Sequence, residues 1–211
     1  MSRPLRKVLA SASVLAGVLI PATAAFADGD ATTSSPTVAA PALGGATVST
    51  AVSLNDQNGT SMFHLSFNIA HLSGANVDVS NVALAVSDCT ACQSVAIAVQ
   101  IDLISPVPAV LTASNTAVAA NVDCELCNTL AAAFQYVVAT PEPLFLTQTG
   151  RHEIHWIERA LNRLGRSNED PADMEAQIQV LANDLSQVLS TQLLPAELDY
   201  RHPGYQHQWH R

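Results

Sequence analysis

Hydrophobic and polar positions along this chain first alternate and later fall into a helical rhythm. Phe63, Leu65, Phe67 and Ile69 interleave with His64, Ser66 and Asn68, the period of two that a strand with one wet face requires. Asn58-Gly59 ahead of that run is a turn signal. Further short runs rich in Ala, Val, Ile or aromatics follow at Val82–Val86, Val95–Leu103, Ala117–Val122 and Leu130–Val138, each bounded by turn residues. They read as strands, although the segments 94–103 and 129–138 also admit Ala-rich helices, because period alone does not separate the two for short apolar runs. Beyond Thr149 the rhythm becomes helical. Ile154, Ile157, Ala160, Leu161 and Leu164 share one face, with Gly165 placed to end the helix. Asp170-Pro171 then opens a second helix as N-cap and first-turn proline, with Asp173 where the helix dipole favours an anion. Its stripe is Met174, Ile178, Leu181, Leu185 and Val188, and Pro195 stops it. The short link after Gly165 predicts an antiparallel helical hairpin packed on one face of the sheet.

Two of the strand segments repeat one another. Asp88-Cys89-x-x-Cys92 matches Asp123-Cys124-x-x-Cys127 at an offset of 35, and the same offset pairs Ala96 with Ala131, Ala98 with Ala133 and Gln100 with Gln135. Each copy, at about 81–104 and 115–139, reads as strand, CxxC, strand, which predicts two β-hairpins. The expected fold class is therefore α+β: an antiparallel sheet of about five strands built from duplicated CxxC hairpins, followed by a two-helix hairpin at 149–194.

The ends differ in composition from this body. Arg3, Arg6 and Lys7 precede an apolar stretch from Val8 to Ile20, Pro21 interrupts it, and Ala25-Phe26-Ala27 offers the small-x-small site of a signal peptidase. Residues 1–27 thus read as a cleaved signal peptide, the apolar stretch being shorter than the ~20 residues that span a bilayer. Residues 28–46 are Ala, Thr, Ser, Pro and Gly with few large apolar side chains and read as a linker. The domain proper is expected over 47–198, and 199–211 (DYRHPGYQHQWHR) as a His-containing tail.

Export sharpens the charge imbalance. The net charge is −9, and removing the signal takes away three of nine basic residues and none of the 18 acids, leaving −12. Every remaining arginine lies at or beyond Arg151, so residues 28–150 carry acids and no Lys or Arg. Such a surface cannot neutralise phosphates, which disfavours nucleic acid and anionic membranes as partners. Arg159, Arg163 and Arg166 mix with acids around the first helix beside Trp156, so the hairpin is the part that offers charge of both signs and an aromatic anchor to a partner.

The four cysteines carry the strongest chemical signal. In a secreted chain an even number of Cys points to disulfides, and Cys89 with Cys92 and Cys124 with Cys127 is the pairing that follows most simply from the duplication. Pairing between the two units would close longer loops and stabilise more. The alternative is zinc, for which Cys89, Cys92, Cys124 and Cys127 would supply four thiolates. A redox reading needs a cation or a helix N-terminus to lower a thiol pKa, whereas Asp88 and Asp123 sit beside the first Cys of each pair. His202, His207 and His210, with Trp209, form a weaker metal candidate in the tail.

The run Asn81-Val82-Ala83-Leu84-Ala85 before a CxxC, the paired Ala-x-Ala-x-Gln segments, and Leu146-Thr147 before a helical hairpin resemble a family of secreted bacterial proteins with a doubled CxxC segment. That segment is similar to the extracellular C-terminal part of proteins carrying a peptide zinc metalloprotease label. The likeness spans roughly 61–195 and implies a neighbourhood, an extracytoplasmic peptidase system, without a mechanism. The peptidase motif itself, H-E-x-x-H, places two imidazoles one helical turn apart with a Glu on the metal's water. Here His152-Glu153-Ile154-His155 is one residue short, and Glu158 does not complete a known ligand set. The sequence therefore points to a secreted, extracellular or cell-surface module without catalytic residues or a cofactor. Its expected partner is an extracellular protein or cell-surface component, and zinc binding or thiol-redox chemistry is the alternative.

Overall fold

The computed structural model describes residues 24–25, 45–167 and 169–196. Six long strands follow one another: β2 (Gly45–Asn55), β3 (Ser61–Leu72), β4 (Asn76–Ser87), β5 (Gln93–Ile104), β6 (Val110–Asn121) and β7 (Asn128–Ala139). They are preceded by a two-residue strand, β1 (Ala24–Ala25). A short ribbon of β8 (Leu144–Leu146) with β9 (Leu193–Pro195) brackets the helices α1 (Gln148–Leu164) and α2 (Pro171–Gln192).

The long strands are parallel to their neighbours, which corrects the expected antiparallel sheet. Strands β2, β4 and β6 form one sheet and β3, β5 and β7 another, with β1 antiparallel along β7. The chain visits the two sheets in turn, so each pair of consecutive strands is one coil of a two-sheeted β-solenoid with three coils. The 35-residue repeat is the length of the last coil: Gln93 pairs with Asn128, Ala96 with Ala131 and Gln100 with Gln135. Each CxxC unit is thus a corner between sheets. Its two strands face each other through side chains and take their hydrogen bonds from strands a full coil away. The first coil, β2 with β3, belongs to the same series at a spacing of 32 residues, since Gly45 pairs with Val77 and Ser61 with Gln93.

Side-chain size sets the spacing of the layers. Between the sheets lie Ala51, Ala83, Ala85, Ala96, Ala98, Ala119, Ala131 and Ala133, all buried, so the backbones can approach closely. Polar residues interrupt this layer and pair only in part, leaving Asn81 Oδ1, Gln135 Oε1 and Asp102 Oδ2 without a hydrogen-bond partner. The Asn81 amide nitrogen donates to Asn115 Oδ1 at 2.9 Å and reaches the Ala98 and Phe134 carbonyls at 3.1 Å. Gln135 Nε2 stands 3.4 Å from Gln100 Oε1, and Gln100 Nε2 donates to Asp102 Oδ1 at 3.2 Å. On the far side of the second sheet, Val95, Ile97, Val99, Ile101 and Leu103 with Leu130, Phe134 and Tyr136 meet the helical hairpin in the main core. Strand β5 is buried along its whole length because helices cover one face and the alanine layer the other.

The helices lie where the periodicity puts them. Ile154, Ile157, Leu161 and Leu164 of α1, and Met174, Ile178, Leu181, Leu185 and Val188 of α2, are buried against that core. Thr147 caps α1 by accepting from Gly150 N at 3.0 Å, and Asp170 caps α2 by accepting from Ala172 N at 2.9 Å. Gly165 ends α1 in ordinary right-handed conformation, so its need for glycine is steric. A Cβ there would lie 1.9 Å from Phe63 Cε2. Residues 45–46, expected in the linker, open β2; the rest of the linker, the signal segment other than 24–25, and the tail with His202, His207 and His210 lie outside the described residues.

Candidate functional site

Corners on one edge of the solenoid carry the cysteines. In the first coil the corner between β2 and β3 has none, and an asparagine holds it instead. Asn55 Nδ2 donates to the Thr60 carbonyl at 3.0 Å and the Gln93 carbonyl at 2.8 Å, while Asn55 Oδ1 accepts from Thr60 Oγ1 at 2.9 Å. In the second and third coils the corners are the two CxxC units, each pair at disulfide distance: Cys89 with Cys92 and Cys124 with Cys127. The corners stack like the strands. Ala91 N donates to the Glu125 carbonyl at 2.7 Å, and Asn128 N to the Cys92 carbonyl at 2.9 Å. Such tight turns need left-handed backbone just before the second Cys, and Ala91 (φ 53°) and Leu126 (φ 60°) supply it without glycine.

Stacking brings the two bridges into contact. Cys92 Sγ lies 3.4 Å from Cys127 Sγ, and the sulfurs of Cys89, Cys92 and Cys127 all lie within 4.8 Å of one another. Among the described residues this is the only cluster of three or more candidate metal-ligand atoms. Cys124 stands outside the cluster, and the four sulfurs expected as zinc ligands are paired with one another. The inner bridge, Cys89–Cys92, is buried, whereas Cys124 and Cys127 are half-buried. The sulfurs face acceptors: Cys89 Sγ is 3.0 Å from the Asn55 carbonyl and Cys127 Sγ 2.9 Å from the Cys89 carbonyl.

The outward face of the first sheet is the second notable surface. Rows of residues one coil apart run Val48–Ser80–Ser114, Thr50–Val82–Thr116, Val52–Leu84–Val118 and Leu54–Val86–Ala120. Val48 is 68 % exposed, Leu54 56 %, Val118 43 % and Val52 39 %. No described helix lies on this face. Parallel sheets as a rule have both faces covered, so an open one is unusual. Sequence reasoning missed it, because the first coil was not recognised as a coil; the alternation of Val48, Thr50, Val52 and Leu54 with Ser49, Ala51 and Ser53 was its signal.

The remaining sequence candidates lie on α1. His152, Glu153 and His155 are exposed, and His155 Nδ1 meets Glu158 Oε2 at 3.0 Å as an i, i+3 pair. Trp156 is half exposed and lines an open groove of about 550 Å³ between the helices with Ala160, Arg163, Val180 and Asp184. Arg166 lies over the Phe63 ring, 6.0 Å from its centre. Two buried groups have displaced pKa values. Asp102, with no exposed surface, is pushed up to about 7 by burial, its Gln100 hydrogen bond opposing the shift, and its Oδ2 has no hydrogen-bond partner. Burial also raises the Tyr136 phenol, which donates to the Ala182 carbonyl at 2.7 Å. Among the described residues no helix is long and apolar enough to cross a membrane.

Comparison with protein-family models, with curated proteins and with solved structures gives no match in any of the three.

Proposed function

We propose that this chain works outside the cytoplasm as a non-enzymatic binding module, a short β-solenoid that offers the open face of β2, β4 and β6 to an extracellular protein or cell-surface component. The observation that carries this reading is the outward face of the β2–β4–β6 sheet, which no element among the described residues covers, with Val48, Val52, Leu54 and Val118 projecting from it. Three strands at about 4.8 Å spacing and eleven or twelve residues long present a footprint on the order of 500 Å², on which the apolar rows Val52–Leu84–Val118 and Leu54–Val86–Ala120 lie beside rows carrying Thr50, Ser80, Ser114 and Thr116. Asp78 is the one charged residue on the outward positions of these strands, so the face suits a neutral or weakly polar surface. The acidity of the rest of the chain argues against a polyanion.

The test is co-sedimentation of the purified, secreted chain with cell envelopes of the organism that produces it, wild type beside the variant Val52→Glu with Val118→Glu. Both positions point away from the core, so the variant is expected to melt within a few degrees of wild type. Envelope binding by wild type that the folded variant loses supports the reading. Equal binding by both, or none by wild type, contradicts it. A second reading, thiol-redox chemistry, is favoured by the contact between the two cysteine bridges.

A further inference from the structure

We infer that the cysteine corner is a thiol-exchange site, in which reduction of the outer bridge by a low-molecular-weight thiol is passed to the inner bridge and leaves Cys92 joined to Cys127 across two coils. Both corners stack in parallel, and the sulfur positions single out this pair, with Cys124 outside the cluster. Gln93 and Asn128, the residues that follow them, are register partners on adjacent parallel strands, so Cys92 and Cys127 lead into those strands side by side. Neighbouring strands lie about 4.8 Å apart and disulfides span Cα separations of roughly 4.4–6.8 Å, so a cross-coil bridge fits the backbone as it stands. The two sulfurs are already in contact at 3.4 Å.

The asymmetry of burial gives the exchange a direction. Cys89 and Cys92 are only 6 % and 3 % exposed, which shields the inner bridge, while the half-buried outer bridge is open to attack. An external thiol, as thiolate, attacks Cys124 Sγ, forms a mixed disulfide there and releases Cys127 as the leaving thiolate. Cys127 Sγ then attacks Cys92 Sγ: the Cys92–Cys127 bond forms, the Cys89–Cys92 bond breaks, and Cys89 leaves with the electron pair and takes a proton from water. A second external thiol resolves the mixed disulfide at Cys124. In sum, two external thiols become one external disulfide, and the chain gains two thiols, Cys89 and Cys124, while keeping one bridge.

The surroundings favour that product. Once protonated, Cys89 has the Asn55 carbonyl 3.0 Å away as an acceptor. The new bridge joins residues 35 positions apart in place of residues three apart, and a longer closed loop restricts the unfolded chain more. Residues 28–150 hold no Lys or Arg that could stabilise a thiolate, so the exchange is expected to be slow and its product is best read at equilibrium.

The variant Cys124→Ser tests the exchange without any added reductant, because it leaves Cys127 without its partner. The purified, air-oxidised variant is denatured at mildly acidic pH, trapped with a maleimide, digested without reduction and mapped by mass spectrometry. The expected result is a Cys92–Cys127 linked peptide with the maleimide on Cys89. Maleimide on Cys127 with Cys89–Cys92 intact overturns the inference. Wild type held in a glutathione-type thiol buffer and trapped in the same way decides the matter even if the variant does not fold. Two-electron-reduced molecules labelled at Cys89 and Cys124 support the relay, and molecules labelled at Cys124 and Cys127 contradict it.

Discussion

Asp102 is the residue whose chemistry fits its surroundings least, since it holds a carboxyl between two sheets with one oxygen unpartnered. Unfolded, the group ionises near its ordinary 3.8, and folded near 7. Below 3.8 it is protonated in both states and adds no pH dependence; as pH rises toward 7 the unfolded chain releases a proton that the folded one retains, so stability falls. Above about 7 the loss is complete, on the order of 4 kcal/mol. Replacement by Asn is expected to flatten this part of the profile and to leave the variant more stable than wild type above pH 7, as urea midpoints at pH 4, 6 and 8 will show. Tyr136 offers a simpler case. Tyr136→Phe removes the bond to the Ala182 carbonyl, which keeps its helical hydrogen bond within α2, for an expected loss of about 1 kcal/mol in the same assay. At Gly165 a methyl group would enter the Phe63 ring, so Gly165→Ala is expected to destabilise although the backbone there is ordinary helix, and Phe63→Leu is expected to relieve part of that cost.

At the level of elements, the helical hairpin was legible and the sheet was not, for one physical reason. A helix satisfies its hydrogen bonds within a local segment, so the stripe from Ile154 to Leu164, the Asp170-Pro171 start and the stripe from Met174 to Val188 are enough to place both helices. A strand bonds to a partner chosen by topology, and strand, CxxC, strand reads equally as a hairpin or as a corner between sheets. The deciding signal was present in β5 and β7, whose near-continuous apolar runs mark strands covered on both faces, as parallel strands are. Only half of the cysteine chemistry could be read. The pairing within each CxxC follows from the duplication, but the contact of Cys92 with Cys127 depends on the coil bringing residue 127 back beside residue 92. Removing one in-corner pair as Cys89→Ala with Cys92→Ala is expected to cost about 2 kcal/mol by the loop-length relation, with the helical circular dichroism of α1 and α2 largely retained before the melt.

For the whole molecule, the parallel coil order supports both proposals, since it leaves one sheet face without a helix among the described residues and brings the two bridges together. Its consequence for distance is direct: Val52 of β2 and Val118 of β6 are both register partners of Leu84 in β4, so they point outward two strand spacings apart. Two adjacent spacings amount to about 10 Å. Spin labels attached at Val52→Cys and Val118→Cys, in protein whose native cysteine pairs have been verified by mass, measure that separation by dipolar broadening. The parallel solenoid predicts a label distance of roughly 10–15 Å, widened from the backbone value by the label arms. Labels too far apart to broaden one another, beyond about 20 Å, would place β2 and β6 in different surroundings and contradict the coil on which the account rests.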